Sequence, residues 1–132
     1  MNTLKIAIIQ QKPVHLNLAA SLGKALQYIN EAAAKGAQFI VFGETWLSGY
    51  PSWIDHCPEM AQWNNDIVKE VFALMHANSV DVAGEEIKTL CAAAKEKNVF
   101  LCMGINEKVT SGIGGGTIYN SFIFVNSNGE IV

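Results

Sequence analysis

Leu4 to Ile9 forms a short apolar, β-branched run that predicts a buried strand, ended by Pro13. After it, Leu18, Leu22, Ala25, Leu26, Ile29, Ala32 and Ala33 recur at three- and four-residue steps. That spacing puts them on one face of a helix over 18–35, with Asn17 as its cap and Gly36 as its left-handed stop. Glu31 and Lys35 add an i,i+4 pair. Phe39-Ile40-Val41-Phe42 reads as a second buried strand. Strand, helix and strand within so short a stretch make a βαβ unit, so the two strands should run parallel.

From Gly43 to Cys57 the pattern is irregular and rich in aromatics. Pro58 suits the first position of a further helix, with Met60, Trp63, Ile67, Val71 and Leu74 as its buried stripe and an end near His76. Ala83 to Lys97 predicts another helix. Its Glu85 and Glu86 lie in the first turn and Lys95 and Lys97 in the last, as the helix dipole favours. Val99 to Met103 reads as a third strand, Thr110 to Gly116 as a Gly-rich loop and Ile118 to Val125 as a fourth strand. Asn126-Ser127-Asn128-Gly129 is a hairpin turn leading into a returning strand, Glu130 to Val132. The fold class is α/β.

Composition narrows the function. The chain has 132 residues, half of them hydrophobic and 16% charged, which fits one folded domain and excludes disorder. All nine basic residues are Lys, scattered among twelve acids. There is thus no Arg fork for phosphate and no nucleic-acid footprint. No apolar stretch approaches a membrane span, and the N-terminal run is too short for a signal peptide. The expected setting is cytoplasmic, away from membranes, with Cys57, Cys91 and Cys102 as reduced thiols. Cys91 and Cys102 lie in apolar runs and read as small core residues.

Open α/β sheets place their sites at the C-terminal ends of strands. Glu44 stands just past the Phe39–Phe42 strand, among Phe42, Trp46 and Tyr50. A partly desolvated carboxylate there suits a general base. Trp46, Tyr50 and Trp53 can either line a substrate pocket or anchor the loop against the core. Asp55, His56, Cys57 and Glu59 are possible ligands, but their spacing fits no standard metal site, so no metal and no cofactor are expected. The glycines of 112–116 lack the Lys-Ser/Thr of a phosphate loop and read as a connector. Glu107 reads as a surface charge.

The sixteen residues Gly36-Ala37-Gln38-Phe39-Ile40-Val41-Phe42-Gly43-Glu44-Thr45-Trp46-Leu47-Ser48-Gly49-Tyr50-Pro51 resemble the first signature of the nitrilase, or carbon–nitrogen hydrolase, family. Thr45 to Trp53 resembles its nitrilase and cyanide-hydrolysing branch more than its amidase branches. Lys5–Gln10 resembles the first strand of the family's N-terminal half, Gly104-Ile105-Asn106-Glu107 resembles the end of its third, and Tyr119-Asn120-Ser121 with Asn128 to Val132 resembles its next hairpin. The resemblance implies the first half of an αββα sandwich, a mixed sheet flanked by helices, with residues 1–132 as an incomplete N-terminal part of the domain. It implies a Glu, Lys and Cys mechanism on a small-molecule nitrile or amide, with Glu44 at the position of the Glu. The nitrile gives a carboxylic acid and ammonia through a thioimidate and an acyl-enzyme. The family's Lys and Cys lie beyond Val132, so this chain alone is expected to be inactive. A homo-oligomer is expected of the full-length form. Two other readings stay open: a truncated, non-catalytic homologue or partner subunit, and the amidase branch of the same family.

Overall fold

The computed structural model describes residues 3–60, 62 and 64–132. Its elements are β1 (Ile6–Ile9), α1 (Leu18–Ala34), β2 (Phe39–Phe42), α2 (Trp53–His56), α3 (Asp66–Ala77), α4 (Glu85–Lys97), β3 (Phe100–Lys108) and β4 (Ile118–Val125). The strands form one mixed sheet in the order β1-β2-β3-β4. β1, β2 and β3 are parallel and β4 is antiparallel to β3, as the βαβ unit and the hairpin topology require.

The first helix follows its sequence signals closely. The Asn17 side chain accepts from the Ala20 N–H at 3.0 Å, and Gly36 stops the chain at φ 82°. Leu18, Ser21, Ala25, Ile29 and Ala32 form the buried stripe. α4 ends at Asn98 in the left-handed region, φ 54°. The two helices pack side by side over one face of the sheet. Under them lie Ile40, Phe42, Leu101, Met103, Ile105, Ile123 and Val125, which make the core with Ile29, Ile87 and Leu90.

The opposite face is apolar and open. Ile6, Ile8, Phe100, Phe122 and Phe124 are 47–70% exposed, although their neighbours Ala7, Ile9, Leu101, Ile123 and Val125 belong to the core or pack against it. The strands expected to be buried on both sides are therefore buried on one. β1 is one edge of the sheet, and Leu4 and Lys5 fall outside it. Phe39 and Val41 of β2 are only half-buried. A two-sided apolar run records that both faces shun water, but not whether a covering layer is present.

The segment before α3 also departs from expectation. No helix starts at Pro58, which instead opens a turn over 58–60. α3 starts at Asp66, where the Asn65 side chain accepts from the Val68 N–H at 3.2 Å and donates to Glu59 at 2.8 Å. A local Asn cap outweighs the proline signal. Of the expected stripe, Ile67 and Leu74 are exposed and Trp63 is outside the described residues, while Met75 is the buried residue of α3. β3 runs to Lys108, five residues past the expected end at Met103, because β4 pairs with it along its whole second half.

Candidate active site

β2 stops at Phe42, and the chain crosses towards β3 as a tight strap, 43–49. Thr45 is held at φ 46°, rare for a β-branched residue and a sign of imposed strain. The strap is tied at several points. Leu47 donates its N–H to the Gly104 carbonyl at 3.1 Å, and Gly49 donates to Thr45 at 2.9 Å. Ser48 Oγ donates to the Asn78 carbonyl at 2.6 Å. Trp46 Nε1 donates to the Gln11 carbonyl at 2.6 Å. Gly104 makes the close passage possible. A Cβ there would overlap the Gly43 carbonyl oxygen and lie 2.6 Å from the Thr45 nitrogen.

The strap carries Glu44 at the C-terminal end of β2, where its side chain is exposed rather than partly desolvated. Asn120 of β4 donates its amide to Glu44 Oε1 at 2.6 Å. Asn120 is paired in register with Asn106 of β3. Asn106 is buried and donates its own amide to the Gly49 carbonyl at 3.0 Å. Side chains of one cross-strand pair share a face of the sheet. One asparagine pair thus holds the two ends of the strap, on the same face as Gly104 and Phe122. Glu107 belongs to the opposite face and accepts from Ser121 Oγ at 2.7 Å.

The aromatic trio separates. Trp46 is 4% exposed and packs edge-on against Phe42 at 4.8 Å and Tyr28 at 6.4 Å, so it anchors the strap in the core. Tyr50 is exposed. Trp53 helps to line a cavity of about 240 Å³ with Phe72, Met75, Asn106, Ile118 and Asn120. Asn120 therefore touches both the carboxylate and this cavity. In the sequence Asn106 and Asn120 stand only as members of longer motifs. Their pairing could be found only from the β3–β4 register.

Among the described residues, no three His, Cys, Asp or Glu side chains cluster as metal ligands, and no helix is long and apolar enough to cross a membrane. Cys91 and Cys102 are unlike nucleophiles. Burial pushes Cys91 and Cys102 above the ordinary thiol value, which disfavours the reactive thiolate. Cys91 packs half-buried against the core, while Cys102 is buried in the open sheet face between Val41 and Phe124. Both thiols should react with iodoacetamide at pH 8 far more slowly in the native than in the denatured chain, as mass spectrometry of the labelled peptides would show. Equal rates would contradict the burial. As pH rises through the ordinary thiol range the unfolded chain loses these protons first, so native stability should fall there.

Residues 5–132 match the family model described as carbon–nitrogen hydrolase. The chain belongs to the carbon–nitrogen hydrolase family. Among curated relatives of this carbon–nitrogen hydrolase chain, an aliphatic nitrilase from Rhodococcus rhodochrous is 35% identical over 132 residues, covering 98% of this chain and 31% of the relative. An arylacetonitrilase from Aspergillus oryzae is 32% identical over 129 residues, covering 98% and 35%. The chain thus spans about a third of the length of the curated relatives it matches. A solved structure of an amidase from Nesterenkonia sp. AN1 matches with a TM-score of 0.63 at 15% identity, over 98% of this chain and 42% of that one. At that identity the likeness concerns the carbon–nitrogen hydrolase fold.

Proposed function

We propose that residues 1–132 form the first part of a nitrilase-type hydrolase, in which Glu44 is the general base. The observation that carries this reading is the placement of Glu44. A tied strap holds it at a strand end, with one carboxylate oxygen engaged by Asn120 at 2.6 Å. Oε2 then remains to take a proton from a nucleophile. In the mechanism that the resemblance implies, a Cys thiol gives that proton to Glu44 while its sulfur bonds to the nitrile carbon. The proton passes to the nitrile nitrogen and yields a thioimidate. One water releases ammonia and leaves a thioester; a second releases the acid and restores the thiol. A Lys supports the charge that develops on nitrogen. The Nesterenkonia amidase has an active site cysteine, in keeping with this chemistry.

Nitriles are favoured over amides because the relatives at 31–35% identity are nitrilases, whereas the amidase shares 15%. The Lys and Cys would come from the part of the domain that follows this chain in the relatives. That part would also cover the open face of Ile6, Ile8, Phe100, Phe122 and Phe124, since two apolar sheet faces can pack about 10 Å apart.

The test joins this chain to the remainder of the Rhodococcus nitrilase in place of the matched segment. Ammonia release from a short aliphatic nitrile is expected from the fusion and not from the 132-residue chain alone. A folded but inert fusion, or equal turnover by the isolated chain, would overturn the proposal.

A further inference from the structure

We infer that Asn120 is a positioning residue for Glu44, acting from β4 with Asn106 as its structural counterpart on β3. The inference rests on the reading of Glu44 as the general base and adds what aims it.

Glu44 is exposed and belongs to none of the ion pairs among the described residues, which join Lys69 to Asp66, Lys88 to Glu85 and Lys97 to Glu96. Left to itself, such a side chain would sample several rotamers. The 2.6 Å bond from Asn120 Nδ2 to Oε1 selects one of them. An amide suits the task chemically. It donates without bringing a charge, and its donor sits on a short, two-torsion stem rooted in a strand. The strand itself is fixed: β4 pairs with β3 at eight successive positions, from Leu101↔Val125 to Lys108↔Ile118.

The geometry also says why two asparagines face each other. Asn106 holds the Gly49 carbonyl and so sets the far end of the strap. Asn120 holds the side chain carried at its near end. Backbone and carboxylate are thereby referred to the same pair of residues in the sheet. Fixing a reacting group within fractions of an ångström matters, because a misplacement of about 1 Å can cost about a hundredfold in rate. Asn120 also lines the cavity with Trp53 and Phe72, so the donor that holds the carboxylate stands in the wall of that cavity.

The first test needs only the chain itself. In an NMR titration, the side-chain amide signals of Asn120 should follow the ionisation of Glu44, and should be flat with pH in Glu44→Gln. Signals insensitive to pH in the wild-type chain would overturn the inference. The second test uses the fusion with the Rhodococcus nitrilase. Asn120→Ala should lower kcat per folded molecule about 10- to 100-fold with little change in KM. Asn120→Asp, which is isosteric and keeps the fold if the alanine variant does not, should lower kcat at least as much because it sets a second carboxylate against the first. A merely structural asparagine would lower the melting temperature and leave kcat per folded molecule unchanged. If Glu44→Gln abolishes turnover while both Asn120 variants keep wild-type kcat, the positioning role fails and the general base stands. If Glu44→Gln keeps full turnover, the reading of Glu44 itself fails.

Discussion

Glu44→Gln is expected to lower kcat of the fused enzyme by about 10²–10⁴-fold, the usual contribution of a positioned general base. The substitution is chosen for what it retains. Gln keeps a carbonyl oxygen that can accept from Asn120, and it has nearly the same volume, so the strap and the sheet should be undisturbed. What it removes is the carboxylate oxygen that can accept a proton. Because Glu44 is exposed, its replacement should change stability by only about 0.5 kcal/mol. Substrate binding should be little altered, so the loss should appear in kcat rather than KM. Steady-state ammonia release, with thermal melts of the same samples, separates these effects. An unchanged kcat would remove Glu44 from the chemistry, and a large fall in melting temperature would make its role structural.

Much of the architecture was legible because local signals and burial agree. The Asn17 cap, the apolar stripe of α1, Gly36 and the β-branched β2 all point to the same βαβ unit, and the structure forms it. The Asn-Gly turn at 128–129 is likewise formed, with Gly129 at φ 80°. Its glycine has a second use that no local pattern reveals: a Cβ there would lie 2.6 Å from the Cys91 carbonyl of α4. The failures have a common cause. Ile6 and Ile8 are as apolar as Ile40 and Phe42, but hydrophobicity states a preference and not the presence of a partner layer. Pro58 permits a helix start, and Asn65 with Asp66 provides a better one.

The site was legible in part for the same reason. Glu44 could be placed at a strand end, since strand ends follow from the apolar run before them. Its exposure could not, because the aromatics beside it in sequence point elsewhere. Trp46 turns into the core against Tyr28, leaving only Tyr50 near the surface. Asn120 lies 76 positions away in sequence and meets Glu44 only through the β3–β4 register. Contacts of that kind depend on pairing at long range, which neither periodicity nor local composition encodes.

Gly104→Ala tests whether the strap is as tightly built as its contacts indicate. A Cβ at 104 would overlap the Gly43 carbonyl and fall 2.6 Å from the Thr45 nitrogen and 2.9 Å from the Glu44 carbonyl carbon. These are backbone atoms, so no side-chain rotamer can relieve the clash. The strap would have to lift, weakening the Leu47 to Gly104 hydrogen bond and carrying Glu44 away from Asn120. Overpacking of this kind costs about 1–3 kcal/mol. For a domain of this size that is a fall of roughly 3–15 °C in melting temperature. In the fused enzyme the displaced carboxylate should lower kcat about a hundredfold, beyond any loss of folded protein. Gly23→Ala is the control. Gly23 lies within α1 with open space where its Cβ would go, so the same substitution there should stabilise by about 0.4–1 kcal/mol. Opposite shifts at 104 and 23 would show that the strap, rather than glycine as such, sets the cost. Melting temperatures that rise together would mean that the strap moves aside freely, and that Glu44 is not held where its proposed chemistry needs it.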